Sequence, residues 1–135
     1  MAPQEPGVDV DDLARDVIGA AIEVQKTLGG GLAEALYEEA LCIELELMGR
    51  PYRRQVPILL QYKGRRLGTG RLDVLVAEQL IVELKCADAL DRAHVTQLLT
   101  YLKATNCRLG LLLNFGRSLE HKGIRRVVYT PRPNR

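Results

Sequence analysis

Asp73, Glu83, Lys85, Gln97 and Tyr101 are the residues of this 135-residue chain whose types and spacing could do chemistry. Asp73 lies in the run Leu72-Asp73-Val74-Leu75-Val76, and Glu83 and Lys85 lie in Leu80-Ile81-Val82-Glu83-Leu84-Lys85. Runs so rich in Val, Leu and Ile read as strands buried on both faces. A charged group there is costly unless another group pairs with it. Two carboxylates and one ammonium in such places point to a divalent metal site beside a positioned cation. On a strand, residues i and i+2 share a face, so Glu83 and Lys85 project together. If Ala77-Glu78-Gln79 is a three-residue hairpin loop, Val76 pairs with Leu80 and Asp73 falls opposite Glu83. Opposed residues stand roughly 4.5–5.5 Å apart at Cβ. Carboxylates at that separation repel unless a cation joins them. A two-residue loop would set Asp73 against Leu84 instead, so the site depends on register. Gln97 and Tyr101, four apart, share one face of a helix, and His94 joins them.

In this order, Asp73, Glu83-x-Lys85 and Gln97-x-x-x-Tyr101 resemble the motifs of the PD-(D/E)xK nuclease superfamily, in its exonuclease-like branch with a Gln-x-x-x-Tyr helix. Gly31-Leu32-Ala33-Glu34-Ala35-Leu36-Tyr37 is similar to the signature of the small GxxExxY proteins of that superfamily. The likeness continues through Leu98-Leu99-Thr100-Tyr101-Leu102-Lys103-Ala104-Thr105 and Leu111-Leu112-Leu113-Asn114-Phe115-Gly116, and covers roughly Leu13 to Tyr129. Leu72 stands where the superfamily's name has proline, a position that varies widely. The resemblance implies an α/β fold: a three-layer α/β/α sandwich of restriction-endonuclease-like type with a central mixed sheet. It implies a nuclease that hydrolyses phosphodiester bonds of nucleic acid, with DNA as the expected substrate. Glu34, Asp73 and Glu83 would then hold Mg²⁺ or Mn²⁺, hard ions that prefer oxygen, with the Leu84 carbonyl as a further donor. Lys85 would orient the attacking water and stabilise charge developing on the phosphate. Gln97 and Tyr101 would hold that lysine or a substrate phosphate. The superfamily also has inactive members, so the alternative is a non-catalytic module of the same fold that binds nucleic acid or a protein partner.

Each of these residues also has a plainer reading. Asp73 and Glu83 could form a buried salt bridge with Lys85 or an arginine. Glu34 could serve the dipole of the helix it opens. Glu38, one turn on, reads as a solvated acid, Tyr37 as core packing, His94 as a surface histidine, and Asn114-Phe115-Gly116 as a strand-ending turn.

Composition bounds the rest. The length suits one domain with one ordinary core. No apolar run is long enough to span a bilayer, and Met1-Ala2-Pro3-Gln4-Glu5-Pro6 lacks a basic, then apolar leader, so a cytoplasmic protein is expected. Cys42, Cys86 and Cys107 are odd in number and widely spaced, which argues against a zinc site or a disulfide framework and for reduced thiols in or near the core. One Phe, no Trp and five scattered Tyr offer no aromatic platform for unpaired bases. No phosphate-binding Gly-x-x-x-x-Gly-Lys loop is present. The net charge of +2 hides an asymmetry. Residues 1–49 carry eleven acidic groups against Arg15 and Lys26, whereas Gly49 to Leu72 has no acidic residue and seven basic ones. From Arg92 onward nine basic residues face only Glu120. A basic half suits a polyanion, and Arg53, Arg54, Arg65, Arg66 and Arg71 are its candidate contacts. Equally, acidic helices and basic strands could neutralise one another across the fold. No separate target-recognition domain is visible, so a protein partner or a homo-oligomer would supply that function.

These residues need elements to carry them. Residues 1–12 read as a flexible N-terminal segment, 13–130 as a single domain and 131–135 as a frayed tail. A first helix follows Leu13, Val17, Ala20, Ala21, Val24 and Leu28, capped by one of Asp9 to Asp12 and broken by Gly29-Gly30-Gly31. A second, from about Leu32 to Met48, carries the stripe Leu32, Leu36, Ala40, Ile43 and Leu47. Strands are expected over Tyr52–Tyr62, Arg66–Ala77 and Leu80–Lys85, joined at Lys63-Gly64 and Ala77-Glu78-Gln79. A helix over Leu90–Ala104, capped by Asp88, and strands over Leu109–Phe115 and Ile124–Tyr129 complete the order ααβββαββ.

Overall fold

A computed structural model describes residues 9–131, and its elements follow the order ααβββαββ. The expected loose start and frayed tail lie outside the described residues at 1–8 and 132–135. Helix α1 (Val10–Leu28) begins earlier than its apolar repeat, because the Asp9 carboxylate accepts from the Asp11 amide at 2.9 Å and Asp11 and Asp12 occupy the first turn. Acidic groups there satisfy free amides and complement the helix dipole, so residues 10–12 are helical and not part of a flexible segment. Gly29, at φ 73°, ends the helix.

Helix α2 (Glu34–Leu47) corrects the expected stripe. It buries Tyr37, Glu38, Leu41, Cys42 and Leu45, while Leu36, Ile43 and Leu47 face outward, Leu47 at 78% exposure. The helix carries apolar residues on two faces, and its aromatic anchor decides between them. Tyr37 stacks on Phe115 with ring centroids 4.5 Å apart, donates its hydroxyl to the Gly29 carbonyl at 2.7 Å and accepts from the Leu32 amide at 3.3 Å. A structural role for Tyr37 therefore holds.

The chain then forms a five-stranded sheet in the order β1-β2-β3-β4-β5, with β1 (Tyr52–Tyr62), β2 (Arg65–Val76), β3 (Leu80–Lys85), β4 (Leu109–Asn114) and β5 (Ile124–Val128). Neighbours are antiparallel except β3 and β4, which run parallel across the crossover helix α3 (Arg92–Thr105). The hairpin loop has the three residues 77–79: Val76 pairs with Leu80 and Val74 with Val82. Helix α3 starts at Arg92, later than expected. Its cap is Asp91 rather than Asp88, in a reciprocal box in which the Asp91 carboxylate accepts from the His94 amide and His94 Nδ1 accepts from the Asp91 amide.

Helices α1 and α2 cover one face of the sheet over Val74, Val76, Leu80, Val82, Leu84, Leu109, Leu111 and Leu113. Helix α3 covers the other over Val56, Leu72, Leu75, Ile81, Leu112 and Val127. Three layers result, and both strand faces are buried near the middle of the sheet. Cys42 and Cys107 lie in these cores as free thiols, but Cys86 is exposed because it follows the last residue of β3.

Candidate active site

Strand β3 places Glu83 and Lys85 on the α3 side of the sheet, since Val82 and Leu84 between and beside them pack into the opposite core. Strand β2 brings Asp73 to the same face by regular alternation, two residues before Leu75, which packs under α3, and the irregularity comes just before it. Leu72 packs under α3 and Val74 under α1 and α2, although i and i+2 on a regular strand share a face. The chain therefore rolls over at Asp73. Strand β1 rolls with it: Arg54 pairs with Val74, Val56 pairs with Leu72, and Gln55 between them has φ 52°, in the left-handed region. A non-glycine residue held there is strained and persists only where its surroundings fix it.

Glu38 of α2 is what fixes it. This carboxylate is 6% exposed, so it is not the solvated acid that its helical spacing suggests. It accepts from Gln55 Nε2 at 2.8 Å and from Arg54 Nε at 3.0 Å, and Arg54 also pairs with Glu39. A buried helix acid thus grips two successive residues of β1 at the position facing Asp73.

Asp73 and Glu83 meet. Asp73 Oδ2 accepts from the Leu84 amide at 2.9 Å, and Glu83 Oε1 accepts from the Asp73 amide at 3.4 Å. Glu83 is 4% exposed. Burial, and then the Asp73 carboxylate, push Glu83 up to about 9. Glu34, on the first turn of α2, is raised too, by desolvation and then by Asp73, and lowered by Lys85, so all four groups share one field. The salt-bridge reading of the pair does not hold: none of the ion pairs among the described residues involves Asp73, Glu83 or Lys85. A cleft of about 550 Å³ gathers Glu34, Arg71, Asp73, Glu83, Lys85, Gln97 and Tyr101. The Tyr101 ring closes over Gly70, where an added Cβ would lie 2.7 Å from a ring carbon.

The expected site residues are therefore neighbours, while some expected nucleic-acid contacts are engaged elsewhere. Arg53 forms a two-pronged pair with Glu78 of the hairpin loop, at 2.8 and 2.6 Å, and Arg54 faces α2. Both depart from the expected basic surface because carboxylates of the fold take their charge. Arg65 and Arg66 stand exposed at the start of β2, and Arg71 lines the cleft. His94 is committed to the α3 cap.

Three further residues hold the loop between Lys85 and α3. Asn114, fully buried, accepts from the Ala87 amide at 2.9 Å and donates to the Ala87 carbonyl at 3.0 Å. Its Oδ1 also accepts from the Gly116 amide at 3.0 Å. A Cβ at Gly116 would lie 2.3 Å from the Ala87 oxygen, so only glycine fits. Asn114-Phe115-Gly116 is thus a clamp on the segment that follows Lys85, more than a strand-ending turn.

The donor set suits a hard divalent ion, because burial and the Asp73 carboxylate disfavour charge on Glu83, and such an ion would favour it. Glu34 lines the same cleft, and among the described residues no three His, Cys, Asp or Glu side chains form a group that could hold one ion together.

A mixed sheet between two helical layers, in the order ααβββαββ, is a restriction-endonuclease-like fold, and it brings Asp73, Glu83 and Lys85 into one cleft. Residues 11–127 match the family model of the PD-(D/E)XK nuclease superfamily, and the chain belongs to that superfamily. No curated protein matches the sequence. No helix among the described residues is long and apolar enough to cross a membrane.

Proposed function

We propose that the protein is a divalent-metal-dependent phosphodiesterase of the GxxExxY type, acting on nucleic acid and on DNA in particular. The observation that carries this reading is the contact between Asp73 and Glu83 in a cleft that also holds Lys85, which has no carboxylate paired to it among the described residues. Asp73 and Glu83 would hold Mg²⁺ or Mn²⁺, with Glu34 as the third acid of the cleft. Bound there, the ion supplies a water of lowered pKa and a positive charge facing the phosphate. Lys85 orients the attacking water and offsets charge on the phosphoryl oxygens. Gln97 and Tyr101, one helical turn apart, hold the lysine or a phosphate oxygen, and Arg71 at the cleft wall binds the adjoining phosphate. Such a substrate agrees with the cytoplasmic setting expected from the sequence.

A second reading draws on there being no three-residue metal-holding group among the described residues: a module of the same fold that binds nucleic acid, or a protein partner, without cutting. Incubation of supercoiled plasmid and of single- and double-stranded oligonucleotides with Mg²⁺, Mn²⁺ or chelator separates the two. The nuclease reading expects cleavage with metal, none with chelator and none by Asp73→Ala. Salt-dependent binding with no cleavage under either metal selects the binding module.

A further inference from the structure

Helix α2 has an apolar face that nothing among the described residues covers. Leu36, Ile43 and Leu47 are 53%, 49% and 78% exposed, whereas Tyr37, Leu41 and Leu45 on the other side of the helix are buried in the core. With Ala40, the exposed residues repeat at intervals of four, three and four. On a helix of about 3.6 residues per turn that spacing keeps them in one narrow stripe along the axis. A helix that only covers a sheet needs a single apolar face. A second face, at this alternation of three and four, is the seam of a helix that pairs with another helix.

The charge around the seam has one sign. Helix α2 carries Glu34, Glu38, Glu39, Glu44 and Glu46 and no basic residue. Helical spacing puts Glu39 and Glu46 along one edge of the seam and Glu44 along the other. Arg54 answers Glu38 and Glu39, but Glu44 and Glu46 take part in no ion pair among the described residues. Glu46 accepts from the Tyr52 hydroxyl, which leaves its charge in place. Both acids lie in the last turn of α2, where no basic residue accompanies them. The carbonyl end of a helix is already partly negative, so acids there work against the helix that bears them. Arg50, the next cation along the chain, is engaged by Asp16. Exposed Leu and Ile beside carboxylates that oppose their own helix mark a surface kept for a ligand.

The same carboxylates decide which ligand. A second copy of the chain would match the seam, since an antiparallel pair of α2 helices sets Leu36 against Leu47 and Ala40 against Ile43. That pairing also brings Glu39 to the other copy's Glu46 on both flanks, and a parallel pairing brings Glu39 to the other copy's Glu44. Like charges at these flanking positions work against a helix pair. Phosphates meet the same repulsion, so the face does not serve a nucleic acid. We infer that the outer face of α2 docks an amphipathic helix of a partner protein, with Leu or Ile along its seam and Lys or Arg at its flanks. The partner's apolar residues would cover Leu36, Ile43 and Leu47, and its cations would meet Glu44, Glu46 and the carbonyl end of α2. The inference is independent of whether the cleft cuts.

Binding is read by fluorescence anisotropy of synthetic amphipathic helices of about three heptads. One has a Leu seam and Lys flanks, the second the same seam with Glu flanks, and the third a Ser seam with Lys flanks. The first is expected to bind at least about tenfold tighter than either of the others, because it alone meets both the seam and its acids. Ile43→Ser with Leu47→Ser should weaken it by about tenfold. Both side chains are exposed, and an unchanged melting temperature shows that the fold is kept. Glu44→Lys is the independent variant and should shift the preference from Lys flanks toward Glu flanks by about tenfold. It should not lower the melting temperature, since a cation suits the carbonyl end of a helix. Equal binding of the three helices, or a preference for Lys flanks that ignores both sets of substitutions, overturns the docking face. So does a wild-type dimer in light scattering that Ile43→Ser with Leu47→Ser dissolves, because a second copy then covers the seam.

Discussion

At the scale of single residues, Glu83 decides how the site responds to pH and to metal. Its carboxyl has an ordinary value of 4.5 and is pushed to about 9 by burial and by Asp73. The folded state therefore holds a proton that the unfolded state has released between those limits. By linkage, stability contributed by this group is complete below about 4.5 and is lost as pH rises toward about 9. Without divalent ions, the melting temperature should fall across that window, and Glu83→Gln, which cannot ionise, should flatten the fall. Added Mn²⁺ or Mg²⁺ replaces the proton and stabilises by mass action, so it should raise the melting temperature at pH 8 in wild type and not in Asp73→Ala. An equal rise in both proteins would rule out Asp73 as a ligand. Lys85 tests the chemistry at the same scale. It makes no ion pair among the described residues, so Lys85→Ala should lower the turnover number by about 10²-fold or more while changing DNA affinity by less than about twofold. A matched loss of affinity would make Lys85 a ground-state phosphate contact instead.

At the scale of elements, β1 and β2 roll over together at Gln55 and Asp73, beside the site, and Glu38 on α2 holds the roll. Glu38→Ala should cost about 2 kcal/mol, because it leaves Arg54 half-buried beside a cavity and frees Gln55 from its strained conformation. It should also weaken Mn²⁺-induced stabilisation, although Glu38 lies behind the cleft. Denaturant midpoints with and without Mn²⁺ would read both effects. A purely structural Glu38 would shift the midpoint and leave the metal increment intact. Much of this scale was legible in the sequence, and what escaped did so for physical reasons. Uninterrupted Val, Leu and Ile runs marked the strands, and the three-residue loop at Ala77-Glu78-Gln79 fixed the register that sets Asp73 beside Glu83. The roll at Asp73 was hidden because period-two reasoning assumes a regular strand, and no glycine advertised the positive φ at Gln55. Helix α2 was read on the wrong face because Leu36, Ala40, Ile43 and Leu47 also repeat at helical spacing. The choice was made by a stacking partner 78 residues away, Phe115 on Tyr37. Glu38 looked solvated for the same reason: the face it occupies follows from that choice. The Asn114 clamp joins segments 27 residues apart, which local patterns do not connect.

At the scale of the whole molecule, the charge asymmetry has two halves with different fates. Part of it is spent inside the fold: Arg50 meets Asp16 at 2.7 Å, Arg54 meets Glu38 and Glu39, and Arg126 meets Asp11. These pairs tie the acidic helices to basic strands and loops, as neutralisation across the fold requires. Lys63, Arg65, Arg66, Arg71 and Lys103 take part in no ion pair among the described residues, and Arg71 and Lys103 each line a cleft beside α3. Internal pairs and free cations should separate in one experiment, because only free cations release counterions when a phosphate binds. Replacing Arg65, Arg66 and Arg71 together by Gln removes up to three phosphate contacts. The logarithmic salt slope of DNA binding should then become shallower by about 2 to 3 units, since each contact contributes about 0.7 on a single strand and 0.9 on a duplex. The melting temperature should stay unchanged, because these side chains hold nothing in place. Arg54→Gln should do the reverse: the salt slope should hold, while stability falls by about 1–3 kcal/mol as Glu38 loses its cation. If Arg54→Gln flattens the slope as much as one of the free arginines does, its ion pairs must open when nucleic acid binds, and the basic surface would then extend across β1 to the α2 side.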